Sequence, residues 1–330
     1  MQSYWMQMTD TATELELRDV AIPEPGPKQL LVRMHAAALN RGEFLVGHGT
    51  HGKPGTWKVI GNEGAGEVVT VGKDVREFHQ GDRVMGRCSG GFAEFALMES
   101  PEAMRVPPSL SWEEASAIPL TFLVSFDMLV LQGRLKRDEW LLVNGVSSGV
   151  GVASLQLGKS IGARVIGTSG SPEKLAVLQP LGLDVAVCTR KPDFAQAVMK
   201  ATNEHGADLV VNTVGGSIFA ECMRALAFEG RLATVGFVDG VGRCDIDLSA
   251  LHTKRLTIFG VSNRLRTKEQ RAAAVPRFIA EVLPQFAAGR IRPQIDRVME
   301  FSQLAEAKAR MESSGHTGKI VLRMPAASLA

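Results

Sequence analysis

The sequence predicts an α/β chain: a doubly wound, six-stranded parallel sheet inserted into a mostly-β domain. Three observations carry this. At 330 residues the chain exceeds the ~250–300 at which one hydrophobic core stops growing, so two domains are expected. From residue 139 to 260, short β-branched runs alternate with amphipathic stretches, the pattern of parallel strands joined by helices. Before residue 110 the texture changes to many glycines and short alternating segments, such as 29–36 and 66–71, which read as antiparallel strands and turns.

Within the central stretch, strands are expected at 140–144, 163–168, 185–188, 208–212, 231–236 and 256–260, and helices near 150–161, 172–181, 193–204, 217–228 and 249–254. Ser171-Pro172 supplies a hydroxyl cap followed by a proline at the first helical position. Gly182 and Gly230 fall where a left-handed residue would close a helix. The apolar stretch 115–132 contains Pro119, Asp127 and two serines and falls short of the ~20 clean apolar residues that span a bilayer. It reads as a buried helix between domains, with no membrane partner. After residue 262 come a basic, Ala-rich helical pattern, a strand-like run at 297–301, a helix over 303–313 and a final strand over 319–323. Some 70 residues are thin for a third domain, so this tail is expected to rejoin the N-terminal one. That gives 1–122 with 262–330 as one domain and 123–261 as the other.

Composition narrows the class. Apolar residues make up 45% and charged residues 22% of the chain, ordinary values for a globular protein. Lys and Arg number 37 against 35 Asp and Glu, too even a balance for a field that attracts nucleic acid. The segment Met1-Gln2-Ser3-Tyr4-Trp5-Met6-Gln7-Met8 lacks the basic region and apolar run of a secretory signal. Cys88, Cys188, Cys222 and Cys244 form no C-x-x-C pair, which argues against a disulfide framework and a closed zinc site. A cytoplasmic setting is expected.

The chemistry is concentrated where Leu141-Leu142-Val143-Asn144 runs into Gly145-Val146-Ser147-Ser148-Gly149-Val150-Gly151. Small residues let backbone approach a pyrophosphate, and the N–H groups and positive dipole end of the following helix stabilise its charge. A strict G-x-G-x-x-G is absent, since Val146, Ser148 and Gly151 occupy those positions, and a tight turn without a ligand is the alternative. The next strand ends at Thr168-Ser169-Gly170, where an NAD site places a carboxylate for the ribose hydroxyls. No acid stands there. Ser169 and Lys174, with Thr189 or Arg190 after the third strand, suit a 2′-phosphate and favour NADP over NAD. For Lys174 a solvated surface lysine is the other reading.

Several motifs in order carry a resemblance over nearly the whole chain. They are Ala38-Leu39-Asn40, Gly61-Asn62-Glu63-Gly64-Ala65-Gly66-Glu67-Val68-Val69 with Val71-Gly72, Gly81-Asp82-Arg83-Val84, Gly90-Gly91-Phe92-Ala93-Glu94, the glycine-rich turn, and Gly318-Lys319-Ile320-Val321-Leu322. The chain resembles the medium-chain dehydrogenase/reductase superfamily, in its zinc-independent quinone oxidoreductase branch. The resemblance implies a Rossmann domain inserted in a GroES-like domain. Zinc alcohol dehydrogenases of this family resemble the chain but place a cysteine at Asn40 and a histidine at Asn62. Neutral amides are poor zinc ligands, and the family's four-cysteine lobe is absent, so no metal is expected.

The same resemblance implies roles for particular residues. Asn40 would lie beside the nicotinamide and the bound carbonyl, or else cap a local turn. Glu43 replaces a more usual aspartate, with a surface carboxylate as the alternative. His51 stands where related reductases carry a tyrosine acid; a solvated loop histidine is the bland reading, and Tyr4 is the only tyrosine. Glu63 reads as a hydrogen-bonded carboxylate supporting the fold. Val124-Ser125-Phe126 replaces Thr-Ala-Tyr, so the nicotinamide amide is expected to be held differently, with Val124 among the cofactor contacts. Cofactor contacts are expected from Ser147, Ser148, Gly149 and Val150, from Asn212, Gly236, Phe237, Ser262 and Asn263 near strand ends, and from Lys319. The implied activity is hydride transfer from NADPH to a quinone or an α,β-unsaturated ketone or aldehyde, in a homodimer paired through edge strand 256–260. Two rivals stand beside it: a metal-free enoyl-thioester reductase, and an NADPH-binding structural or regulatory protein without turnover.

Overall fold

The ten-residue strand Gln29–Ala38 organises the first of two units in the computed structural model, which describes residues 1–9, 13–44 and 55–325. It pairs with Glu63–Val71 on one side and, through Gln29 to Arg33, with Phe95–Arg105 on the other. Arg83–Ser89 bridges those two neighbours, so four strands close into a ring with no free edge between them. Leu30, Val32, Met34, Val68, Val84, Ala96 and Met98 fill its interior. The last residues of Gln29–Ala38 pair antiparallel with the terminal strand Lys319–Arg323, which runs parallel to Ile295–Glu300. A small antiparallel sheet of Thr13–Asp19, Gln2–Met8 and Lys58–Val59 completes the β structure. This unit comprises Met1–Leu120 and the residues from Asn263 onward; the other is Thr121–Ser262.

The second unit is a six-stranded parallel sheet in the order Val185–Cys188, Arg164–Ser169, Trp140–Asn144, Ala207–Asn212, Leu226–Thr234, Thr257–Gly260. The order reverses direction at Trp140–Asn144, the switch point that opens a crevice at the carboxyl ends of an α/β sheet. Leu141, Leu142 and Val143 are all buried, as a strand covered on both faces requires. The connecting helices include Gly149–Ile161, Pro172–Leu178, Ala195–Ala201 and Phe219–Ala225. The fold is the predicted one: a doubly wound parallel sheet inserted in a mostly-β chain.

Three local expectations need correction. The helix expected over 217–228 stops at Ala225, because Leu226 pairs with Ala207 and buries its side chain in the sheet's core. The left-handed residue nearby is Glu229, at φ 58°, and not Gly230, whereas Gly182 does adopt φ 96° after a helical turn. The stretch 115–132 is no single helix. Trp112–Ser116, capped by Ser111 and Glu114, is followed by a new helix starting at Pro119, whose missing N–H is harmless at a first helical position. Beyond Phe126 the backbone widens, with the Gly133 N–H reaching back to the Met128 carbonyl at 2.9 Å. No helix among the described residues is long and apolar enough to cross a membrane.

Candidate functional site

In the second unit, helix Gly149–Ile161 opens directly off the glycine-rich turn. Its cap is Ser148, whose Oγ accepts from the Gly151 N–H at 3.0 Å. The Gly149 and Val150 N–H groups have no partner among the described residues. They are the unspent donors that an anion would use. A Cβ at Gly151 would lie 2.7 Å from the Val146 carbonyl carbon and closer still to the Gly145 oxygen. Only glycine lets the helix start this near the strand it follows.

The second strand ends at Ser169, whose Oγ lies 3.4 Å from that of Ser147. Ser171 caps the next helix by accepting from the Lys174 N–H at 3.2 Å, and Lys174 is half-buried. The Arg190 side chain crosses Gly170 so closely that a Cβ there would lie 2.8 Å from its Cδ and nearer to its Cγ and Nε. The absent side chain at position 170 is what makes room for the arginine. Thr189 Oγ1 donates to Asp193 at 2.6 Å and accepts from the Lys191 N–H, so it shapes the loop that carries Arg190.

The remaining residues inferred for this unit sit at strand ends or in the helix before it. Asn212 is buried, with its amide folded back on Val214 and Gly215 at 2.9–3.0 Å. Gly236 follows the fifth strand, Phe237 is exposed beside it, and Ser262 closes the unit. Val124 lies in helix Pro119–Phe126, and its neighbour Ser125 meets Ser154 at 3.1 Å. Sequence reasoning missed a network that ties three strand ends together. Thr168 Oγ1 donates to Asn144 Oδ1 at 2.9 Å, and Thr213 Oγ1 donates to the Asn144 carbonyl at 2.8 Å. Its only signal was a small polar residue at the end of each strand.

In the first unit, residues far apart in sequence converge. As the chain leaves Gln29–Ala38 it turns over Arg41–Glu43, the Glu43 N–H bonding the Asn40 carbonyl at 3.0 Å. Asn40 Nδ2 donates to Glu63 Oε1 at 2.9 Å and to Glu43 Oε1 at 3.1 Å. Its Oδ1 accepts from Lys319 Nζ at 2.8 Å. Lys319 Nζ also donates to Glu63 Oε1 at 2.8 Å and to the Leu39 carbonyl at 2.6 Å, while Glu63 Oε2 accepts from the Leu120 N–H at 2.7 Å. The Asn40 amide is therefore spent on this network, and it caps no helical N–H. Glu43, only 3% exposed, is no surface carboxylate. By contrast the neighbouring Asn62 side chain, half-buried, makes no hydrogen bond with a described residue. Burial, with Glu43 and Glu63 alongside, pushes the Cys88 thiol well above its ordinary range, so it is no thiolate nucleophile. Asn263 opens the returning segment, and His51 lies outside the described residues.

Burial pushes the Glu43 carboxyl up to about 7, against the opposing pull of the Asn40 and Gly61 hydrogen bonds and the Lys319 charge. The folded protein thus holds this proton to about pH 7, whereas the unfolded chain releases it near 4.5. Glu43 favours the folded state fully below pH 4.5, and the contribution, about 3 kcal/mol, is lost as pH rises toward 7. Urea midpoints of wild type and Glu43→Gln across this window should converge or cross, the wild type losing stability relative to the variant. Parallel profiles would refute the assignment.

Each of the two units has a counterpart among known proteins. The alcohol dehydrogenase GroES-like domain family matches residues 26–108, and the zinc-binding dehydrogenase family matches residues 149–280. The quinone oxidoreductase of Sus scrofa is 31% identical over 308 residues, covering 92% of each chain. The solved structure of an NAD-dependent alcohol dehydrogenase is 30% identical with a TM-score of 0.84, over 98% of this chain and 100% of that one. A quinone oxidoreductase from Pseudomonas syringae pv. tomato DC3000 is 25% identical with a TM-score of 0.85, over 98% and 99%. The chain belongs to the medium-chain dehydrogenase/reductase superfamily, in its quinone oxidoreductase-like branch, and is an oxidoreductase.

The zinc named in one of these families does not fit the residues around Asn40. An ammonium group, Lys319 Nζ, occupies the amide oxygen, and the neighbouring position carries the neutral Asn62. Among the described residues no three His, Cys, Asp or Glu side chains are grouped to hold a metal.

Proposed function

We propose that this protein is a zinc-independent NADPH-dependent reductase of conjugated carbonyl compounds, quinones or α,β-unsaturated ketones and aldehydes. The observation that carries the reading is the end of the second strand: no acid follows Ser169, and Arg190 lies across Gly170. A ribose diol would want a carboxylate there, and a 2′-phosphate a cation. Bound NADPH supplies a hydride to the acceptor's electrophilic carbon or oxygen.

The chain's own residues do the positioning. Gly149 and Val150 N–H groups hold the pyrophosphate, and Arg190, Lys174 and Ser169 hold the 2′-phosphate. Asn212, Gly236, Phe237, Val124 and Ser262 frame the nucleotide. In the first unit, Lys319, Glu63 and Glu43 fix the Asn40 amide, which makes Asn40 a positioning residue. The amide left to donate to the acceptor's oxygen, as negative charge gathers on it, is that of Asn62. Conjugation spreads that charge, which suits a site without a Lewis acid. The proton that completes reduction comes from solvent, leaving His51 dispensable. The protein acts in the cytoplasm, as a dimer joined through the edge strand Thr257–Gly260.

The test is cofactor affinity and turnover together. Arg190→Ala and Lys174→Ala should each weaken NADPH by about 1.5–3 kcal/mol, the range for a charge-assisted hydrogen bond, and leave NADH unchanged. Wild type should oxidise NADPH steadily with a panel of quinones and enals. Equal losses for both cofactors would overturn the NADP assignment, and tight NADPH binding without oxidation by any acceptor would overturn the reductase.

A further inference from the structure

Arg87 lies in strand Arg83–Ser89, directly across from Glu63 in the antiparallel register. The two side chains therefore leave the sheet on the same face, the face that carries the Asn40 network. On its other side the pairing is interrupted: Gly86 faces Ala103 and Cys88 faces Met98, so Glu99 to Glu102 pass opposite Arg87 alone. Irregularities of this kind re-aim side chains and are common beside functional sites.

The Arg87 guanidinium is half-buried, yet it makes no hydrogen bond or ion pair with any described residue. Arg271 is a like charge close enough to repel it, and the acids whose charge reaches it are Glu102 and Glu43. Both are committed elsewhere. Glu102 is held by three contacts of 2.9–3.2 Å from Arg271, and Glu43 accepts from Asn40 and the Gly61 N–H. Glu63, across the sheet, is saturated by Lys319, Asn40 and the Leu120 N–H. A partly desolvated guanidinium whose five donors meet no described residue is unfavourable on its own. Its flat fork is the side-chain shape that meets both oxygens of a carboxylate at once.

We propose that Arg87 receives a carboxylate carried by the acceptor, so that the preferred substrates are conjugated carbonyl compounds bearing a carboxylate group. This rests on the reading above, in which the face of the first unit that carries Asn40 meets the acceptor.

The experiment compares wild type, Arg87→Met and Arg87→Lys on (E)-4-oxopent-2-enoate and on its neutral counterpart pent-3-en-2-one, with NADPH as donor. Binding of levulinate, a saturated keto acid that offers no conjugated bond to reduce, is measured in parallel by calorimetry. In Arg87→Met, kcat/KM for the carboxylated acceptor should fall roughly 10- to 150-fold, the span of one charge-assisted contact, with the neutral acceptor nearly unaffected. Arg87→Lys should recover part of the loss. Levulinate should bind wild type and not Arg87→Met. Equal losses on both acceptors would make Arg87 a structural residue and overturn the proposal, as would levulinate binding that is absent in wild type or indifferent to the variant. Levulinate binding lost with Arg87→Met, alongside no turnover of any acceptor, would uphold the carboxylate site while removing the reductase reading.

Discussion

Replacing Lys319 by methionine should destabilise the first unit by about 3–5 kcal/mol, the range for removing one partner of a buried ion pair. The Lys319 side chain is 6% exposed and that of Glu63 is fully buried, so no water is at hand to replace the ammonium. Three acceptors lose their donor at once: Glu63 Oε1, Asn40 Oδ1 and the Leu39 carbonyl. The remaining carboxylate keeps only the Asn40 and Leu120 N–H groups and no opposing charge. Against a total stability of roughly 5–15 kcal/mol, this is a large fraction. Urea unfolding followed by tryptophan emission suits the measurement, since Trp5, Trp57 and Trp112 lie in this unit and Trp140 in the other. The double variant Lys319→Met with Glu63→Met should recover much of the loss, because the uncompensated charge is gone. A single-variant loss below 1 kcal/mol would show that the pair is not desolvated as its geometry implies.

Gly151→Ala should weaken NADPH binding by about 3 kcal/mol, roughly 100-fold, the sum of two weakened N–H contacts to a charged group. It should also destabilise the second unit by about 1–3 kcal/mol, as overpacking does. Intrinsic propensity argues the other way, since alanine is favoured over glycine inside a helix by about 1 kcal/mol. The sign therefore reports which effect governs. The new methyl would press on backbone atoms of Gly145 and Val146, which cannot rotate aside, so the helix start must move and its N–H groups with it. Thermal unfolding and fluorescence titration with NADPH check both halves, and a variant more stable than wild type with unchanged affinity would remove Gly151 from the site.

The six-stranded parallel sheet was legible because its strands are continuous apolar runs, such as Leu141 to Val143, separated by helical periods, whereas the order of the strands comes only from their pairing. The error at 217–228 arose where that signal fails: Leu226 and Ala227 suit a helix core and a strand core equally, and only pairing with Ala207 decides between them. In the site, the glycine-rich turn was visible because its chemistry is local. The Asn40 network was not, since its members lie at positions 40, 43, 63 and 319 and meet only through strand register. Arg87 escaped for the same reason. A lone arginine between Gly86 and Cys88 has no local pattern, and its relation to Glu63 exists only once the two strands are paired.

The bond between Lys319 and Asn40 joins residues 279 apart. During synthesis, then, Asn40, Glu43 and Glu63 emerge long before the cation that satisfies them. The inserted unit, whose six strands all fall between Trp140 and Gly260, has everything it needs first. The order of completion is thus the reverse of the order of appearance: the part begun earliest is finished last. Until strand Lys319–Arg323 arrives beside Gln29–Ala38, the nascent chain carries an open sheet edge and an unpaired buried carboxylate, the two features most in need of chaperone protection.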